Sequence, residues 1–184
     1  MGGIVLLIII VLLIIIVIGM YNRLVVLRTR IKNAWAQIEV QLKRRYDLIP
    51  NLVNTAKGYM AHERTVLENV TKARQQAIDA SSLKDKAQAE NFLSQTLRSL
   101  FAVVENYPNL KANENMMALQ EELTSTENKI SFARQFYNDM VMLYNQTIQS
   151  VPYNVMAGMF TFKMEEYFEL PEGAPEKEAV KVQF

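Results

Sequence analysis

The hydrophobic pattern of this chain has two regimes that meet near residue 20. Residues 4–18 are an unbroken run of Ile, Val and Leu, whereas beyond Tyr21 the apolar residues mix with polar ones and keep a helical beat. The run predicts a membrane-spanning helix, because the residues from 2 to 21, rising ~1.5 Å each, cover about 30 Å, the thickness of a bilayer's hydrocarbon core. A lone span must satisfy every backbone N–H and C=O within itself, which leaves helix as the only option. No basic n-region precedes the run and no small-x-small site follows it, so a retained anchor is expected rather than a cleaved signal peptide.

Past the anchor, Leu24, Leu27, Ile31, Trp35, Ile38, Leu42, Tyr46, Ile49, Val53, Ala56 and Met60 are separated by threes and fours only. Their mean spacing of about 3.6 is the repeat of an α-helix with one buried stripe, and it places Trp35 as a core anchor. No Gly or Pro intervenes before Pro50, so anchor and first helix read as one rod. A kink is expected where the Pro50 ring removes an N–H and frees the carbonyl of Tyr46, with Asn51 and Asn54 as candidates to solvate the gap. Gly58 is the expected stop.

A second helix is expected over residues 62–80, burying Val66, Val70, Ala73 and Ala77. The third starts behind Ser82, which with Asp85 resembles a capping box, carries Leu93, Leu97, Leu100, Val104 and Tyr107, and closes at Pro108. After a loop at 109–112, Asn113 caps a fourth helix whose stripe reads Met116, Leu119, Leu123, Ile130, Ala133, Tyr137, Met140, Tyr144 and Ile148 before Pro152 ends it. The predicted fold class is therefore all-α: a transmembrane helix (1–21) continuing into an antiparallel four-helix bundle (22–160). Residues 161–184, with Pro171, Gly173 and Pro175 among acids, read as a short extended, mobile acidic tail. The alternating pieces 160–162 and 180–184 are the strand-like stretches.

Charge adds orientation. The net charge of +1 divides into +6 over 22–45, −2 over 46–162 and −3 over 163–184. Arg23, Arg28, Arg30 and Lys32 form a basic collar just past the span, so the positive-inside rule places the bundle in the cytoplasm and the N-terminus outside. The collar reads equally as a topology signal and as a grip on anionic membrane lipid. Nucleic acid is not an expected partner, since the basic excess adjoins the membrane and no aromatic-interleaved basic face follows.

Candidate chemistry is sparse. There is no Cys, so disulfides and a lipoprotein anchor are excluded, and the sole histidine, His62, begins a zinc-protease-like His-Glu but has Val66 where the second ligand must stand. The scattered glycines form no phosphate loop, and no Gly-x-Ser-x-Gly elbow occurs. No catalytic residue, cofactor or metal is expected. The unusual stretch is Lys43, Arg44, Arg45, Tyr46 and Asp47, which sets charge between the buried positions Leu42 and Ile49. These cations need partners, and Glu122, Glu127, Arg134 and Asp139 on the fourth helix are candidates for an interhelical network that fixes register.

The stretch Gln41-Leu42-Lys43-Arg44-Arg45-Tyr46-Asp47-Leu48-Ile49-Pro50-Asn51-Leu52-Val53 resembles the signature of the LemA family. Tyr21-Asn22-Arg23-Leu24-Val25, Ala34-Trp35, Lys57-Gly58-Tyr59, Glu105-Asn106-Tyr107-Pro108-Asn109-Leu110 and Ala133-Arg134-Gln135-Phe136-Tyr137-Asn138 continue the likeness. It implies a bacterial protein spanning the plasma membrane once, with an outward N-terminus and a cytoplasmic helical bundle. Relatives take part in forming invaginated organelle membranes or accompany membrane proteases, and the family has no established catalysis. Two roles follow: a non-enzymatic envelope scaffold, or an accessory subunit of a membrane protease or transporter docked at residues 43–47. A third reading, a cryptic hydrolase, would rest on His62. The candidate interaction and structural residues are Arg23, Arg28, Arg30, Lys32, Trp35, Lys43, Arg44, Arg45, Asp47 and Pro50. A homo-oligomer held by the domain and tail is expected, because the span offers no small-x-x-x-small pair for helix pairing.

Overall fold

A computed structural model describes residues 1–60 and 62–169. Those residues form α1 (Gly2–Lys57), α2 (Arg64–Asp79), α3 (Leu83–Val104), α4 (Pro108–Lys111), α5 (Glu114–Gln149) and α6 (Tyr153–Met159), with no strand among them. The apolar run and the periodic stripe lie on one uninterrupted helix that carries Pro50 inside it. Every side chain from 4 to 18 is exposed, so no other part of the described chain covers the run. It is long and apolar enough to cross a membrane.

The helix boundaries follow local chemistry. α1 ends one residue before Gly58, whose φ is not left-handed; the stop is a turn in which Tyr59 and Met60 both donate to the Ala56 carbonyl at 3.0 Å. α2 starts at Arg64, two residues later than expected, leaving His62 exposed ahead of it. At the start of α3, Ser82 Oγ accepts the Asp85 N–H at 3.0 Å and donates to the Asp85 carboxylate at 2.6 Å. Asn113 caps α5 by accepting the Met116 N–H at 3.1 Å. The expected loop at 109–112 is instead mostly helical: Pro108, whose fixed φ suits a first helical position, opens α4, and that turn buries Leu110.

The strand-like reading of 160–162 is also corrected. Thr161 adopts a left-handed φ of 57°, and the Phe162 N–H reaches back to the Ala157 carbonyl at 2.9 Å, which closes α6 as a Schellman-type cap. Alternation there marks two phenylalanines flanking a helix terminus. The strand-like 180–184 and most of the acidic tail lie outside the described residues.

The chain forms two compact units, to both of which α1 and α5 contribute. In the first (1–38 and 133–167), α1 buries Met20, Leu24, Leu27, Ile31, Ala34 and Ile38, α5 buries Tyr137, Val141, Tyr144 and Ile148, and α6 buries Met156 and Ala157. Trp35 is half-buried, its ring edge-on to Tyr137 at 5.6 Å, and Ala34 holds the fully covered position beside it. Residues 163–166, at the start of the stretch expected to be an extended tail, lack regular structure and are bonded to α5. Asn145 accepts the Glu165 N–H at 3.0 Å and donates to the Glu165 carbonyl at 2.9 Å, as a neighbouring strand would. Tyr144 and Tyr137 donate their hydroxyls to the carbonyls of Lys163 and Glu166, each at 3.0 Å.

The second unit (39–132 with the described residues after 167) packs around one apolar cluster. Leu52 and Ala56 of α1, Val70, Ala73 and Ala77 of α2, Leu93 and Leu100 of α3, and Leu110 of α4 are all fully buried there. On α2 the buried face is Leu67, Val70, Ala73 and Ala77, with Val66 only half-buried.

Candidate functional site

On α1 the helical stripe continues from Leu42 to Ile49, and the inward position between them is Arg45. Its side chain is 1% exposed. A buried guanidinium is tolerable only with partners on its donors, and two other helices supply them. One terminal nitrogen pairs with a carboxylate oxygen of Glu90 on α3, and the other with Glu127 on α5, while Ser94 Oγ lies 3.0 Å from it. Ser94 donates its own hydroxyl to the second oxygen of Glu127 at 2.8 Å, closing a ring. Glu90 is itself 3% exposed, and its other oxygen accepts the hydroxyl of Tyr46.

Tyr46 links α1 to α2 as well. Its hydroxyl lies 3.3 Å from the Ala77 carbonyl, which accepts from Lys86 Nζ at 2.7 Å. Burial, reinforced by the charge of Glu90 and by the hydrogen bond to it, pushes the Tyr46 phenol far above its ordinary range. The phenol is therefore a fixed donor. The backbone of Tyr46 has a separate role: Pro50 has no N–H to give its carbonyl, and Arg74 on α2 donates its Nε–H there at 2.8 Å. Arg74 fills the gap that Asn51 and Asn54, both exposed, were expected to fill.

The remaining candidates from the sequence occupy distinct surroundings. Arg44 pairs with Glu122, both partly exposed, so α1 reaches two acids of α5 from adjacent positions. Lys43, Asp47 and Pro50 are exposed. In the first unit Arg28 pairs with Glu165 at 3.2 Å, Arg23 stands 5.7 Å over the Tyr153 ring, and Arg30 and Lys32 face outward. The collar thus keeps two cations on the surface and commits Arg28 to an acid. Glu90, Ser94 and Arg74 were not anticipated. A signal existed for Glu90: it is an acid three residues ahead of Leu93 on the buried side of α3.

Chemically most of the cluster is paired, the buried Nε–H of Arg45 being the donor without a hydrogen-bond partner. Both oxygens of Glu90 receive donors, Tyr46 holds its proton, and Glu127 is shared by Arg45 and Ser94. A cleft of about 210 Å³ opens onto it, lined by Arg45 itself with Ser94, Leu97, Phe101, Leu123 and Glu127. Among the described residues no group of three or more His, Asp or Glu side chains converges as a metal site would require.

The arrangement centres on the 41–53 segment, and the family comparison decides what that segment is. The model of the LemA family matches residues 34–184. This chain belongs to the LemA family. The match starts beside Trp35 and covers every residue of the charge cluster. The LemA chain is similar to two proteins of Paramagnetospirillum magneticum named magnetosome protein MamQ 1 and MamQ 2, each 26% identical over 180 residues, covering 83% of this chain and 66% of theirs. A magnetosome protein MamQ of Magnetospirillum gryphiswaldense is 23% identical over the same shares. The chain spans just under two thirds of the length of these relatives. Membership and the exposed apolar helix together make this a membrane-associated protein.

Proposed function

We propose that this LemA-family protein is a non-enzymatic scaffold of the bacterial plasma membrane, anchored by residues 1–21 and presenting residues 22–160 as a four-helix bundle on the cytoplasmic side. The observation that carries the reading is the state of the charge cluster. The buried ionic side chains of Arg45 and Glu90 tie α1 to α3 and α5, with both terminal nitrogens of Arg45 and both oxygens of Glu90 engaged there. What the protein presents to its surroundings is an exposed apolar span and helix faces. Similarity to proteins named for the magnetosome supports a role in organising membrane. Self-association through domain and tail would build the scaffold.

A second reading has an observation of its own. Lys43 and Asp47 lie exposed one turn apart on the outer face of α1, a charged patch suited to a membrane protease, transporter or other envelope protein. Crosslinking in native membranes separates the two. Self-crosslinks support the scaffold, whereas a stoichiometric foreign partner lost in Lys43→Glu supports the accessory role. Neither product would overturn both.

A further inference from the structure

The α5–α6 corner combines a long uncharged sequence with unusual exposure. From Met140 to Phe162 there is no Asp, Glu, Lys or Arg. Part of this stretch faces the core of the first unit, through Tyr144, Ile148, Met156 and Ala157. The other part does not: Val151 is 81% exposed, Val155 60% and Met159 70%, and Phe160 and Met164 are exposed beside them. A contiguous apolar surface of this kind is what soluble faces avoid.

Its position says what covers it. The Tyr21 ring meets Phe160 at 5.0 Å and Phe162 at 5.7 Å, both edge to face. Tyr21 follows the last residue of the apolar run, Ile18, by three positions, a rise of about 4.5 Å along the helix. Phe160 and Phe162 are therefore tied to the level at which a bilayer's hydrocarbon gives way to headgroups. The polar groups at that level fit the same surroundings. Arg23 stands over the Tyr153 ring, and tyrosines and cations are the side chains enriched at membrane interfaces. The cap that presents the phenylalanines is held with Thr161 in a left-handed conformation that a β-branched residue rarely adopts. Strain of that kind persists where the surrounding structure enforces it.

We propose that the corner formed by residues 151–160 is a second membrane contact: Val151, Val155, Met159 and Phe160 enter the interfacial layer of the same bilayer that residues 4–18 cross. The proposal rests on the spanning role of α1 and adds a depth and a set of residues to it. The lipid layer recognises this surface by its lack of charge and its aromatic rim, without a headgroup-specific pocket. The span and the corner together would fix the tilt and rotation of α1, which a single helix cannot do.

The test uses the absence of cysteine from the chain. Full-length protein carrying one environment-sensitive dye at Val155→Cys or Met159→Cys is reconstituted into phosphatidylcholine–phosphatidylglycerol vesicles. Nitroxide lipids labelled near the headgroup or near the chain end act as quenchers. Ile10→Cys reports the span, and Lys72→Cys, exposed on α2, reports water. All four positions are exposed, so labelling leaves the packing intact. The expected result is loss of fluorescence with the shallow quencher at 155 and 159, with the deep quencher at 10, and with neither at 72. Quenching at 10 without quenching at 155 and 159 overturns the corner and leaves the anchor standing. Shielding of 155 and 159 from aqueous iodide without lipid quenching also overturns it, since protein then covers the surface. No quenching at 10 removes the span and the proposal with it.

Discussion

Arg74 donates to the carbonyl of Tyr46 at 2.8 Å, and Tyr46 stands four residues ahead of Pro50, where the helix has no N–H to offer. A proline inside α1 and an arginine on α2 thus form one unit: the ring opens a backbone acceptor and the guanidinium of another helix closes it. This makes the proline a docking device, since the acceptor it frees is the one α2 binds.

The pairing predicts coupling between the two positions. Arg74→Ala is expected to cost about 1 kcal/mol, the worth of a typical hydrogen bond. In a Pro50→Ala background, where the backbone N–H at that position is restored, the same substitution should cost less than half as much. Chemical denaturation of the four proteins in detergent, read by helical circular dichroism, gives the cycle. Equal costs in both backgrounds would show that Arg74 does not serve the freed carbonyl.

Much of this was legible in the sequence, and the misses have causes. The boundaries at Ser82, Asn113 and Gly58 were readable because caps and stops are local chemistry, set within a few residues. The stripe on α1 placed Tyr46 inward by its apolarity, yet the burial pattern 42, 45, 49 puts Arg45 there. Hydrophobicity cannot announce a buried arginine, whose place depends on acids far away in the chain. Glu122 and Glu127 were recognisable as partners for the basic cluster because they lie on one helix. Arg74 was not, since the backbone carbonyl it binds carries no side-chain signal, and Glu90 offered only its place three residues ahead of Leu93. The hold on 163–166 has no local signal for a similar reason: nothing in the neighbouring sequence marks Asn145, whose amide works as a two-sided backbone mimic.

That hold yields a prediction. Asn145→Ala removes both bonds to Glu165, and the Glu165 amide should then lose its protection from hydrogen exchange while amides in α3 keep theirs. The expected local cost is about 1–2 kcal/mol. Unchanged protection at Glu165 would mean that Tyr137 and Tyr144 suffice.

The phenols predict an alkaline response. The folded Tyr46 phenol is raised, by burial first and then by Glu90, and burial raises Tyr137 and Tyr144 too. Their contributions are fully present below the unfolded value of about 10. As pH rises past that value the unfolded chain gives up protons that the folded chain retains, so stability falls. The unfolding midpoint should decline with pH in that alkaline range, and Tyr46→Phe should make the decline shallower without abolishing it. A slope unaffected by Tyr46→Phe would place the phenol in an ordinary environment.

Topology is open to direct labelling. A cysteine placed after Met1 should react with an impermeant thiol reagent in intact cells, and Lys72→Cys should react only after the membrane is permeabilised. The reverse pattern would put the helical domain outside.

The central claim is that the buried ionic cluster holds helices together and performs no chemistry. Removing one partner strands the other, so Arg45→Met or Glu90→Leu alone should cost about 3–5 kcal/mol, whereas the pair replaced together should recover most of that loss. The deciding measurement is whether the double variant Arg45→Met, Glu90→Leu complements a deletion strain while its circular dichroism stays native. The account predicts full complementation. A double variant that folds and sits in the membrane but fails to complement would contradict it, because the charges would then have a task beyond the fold.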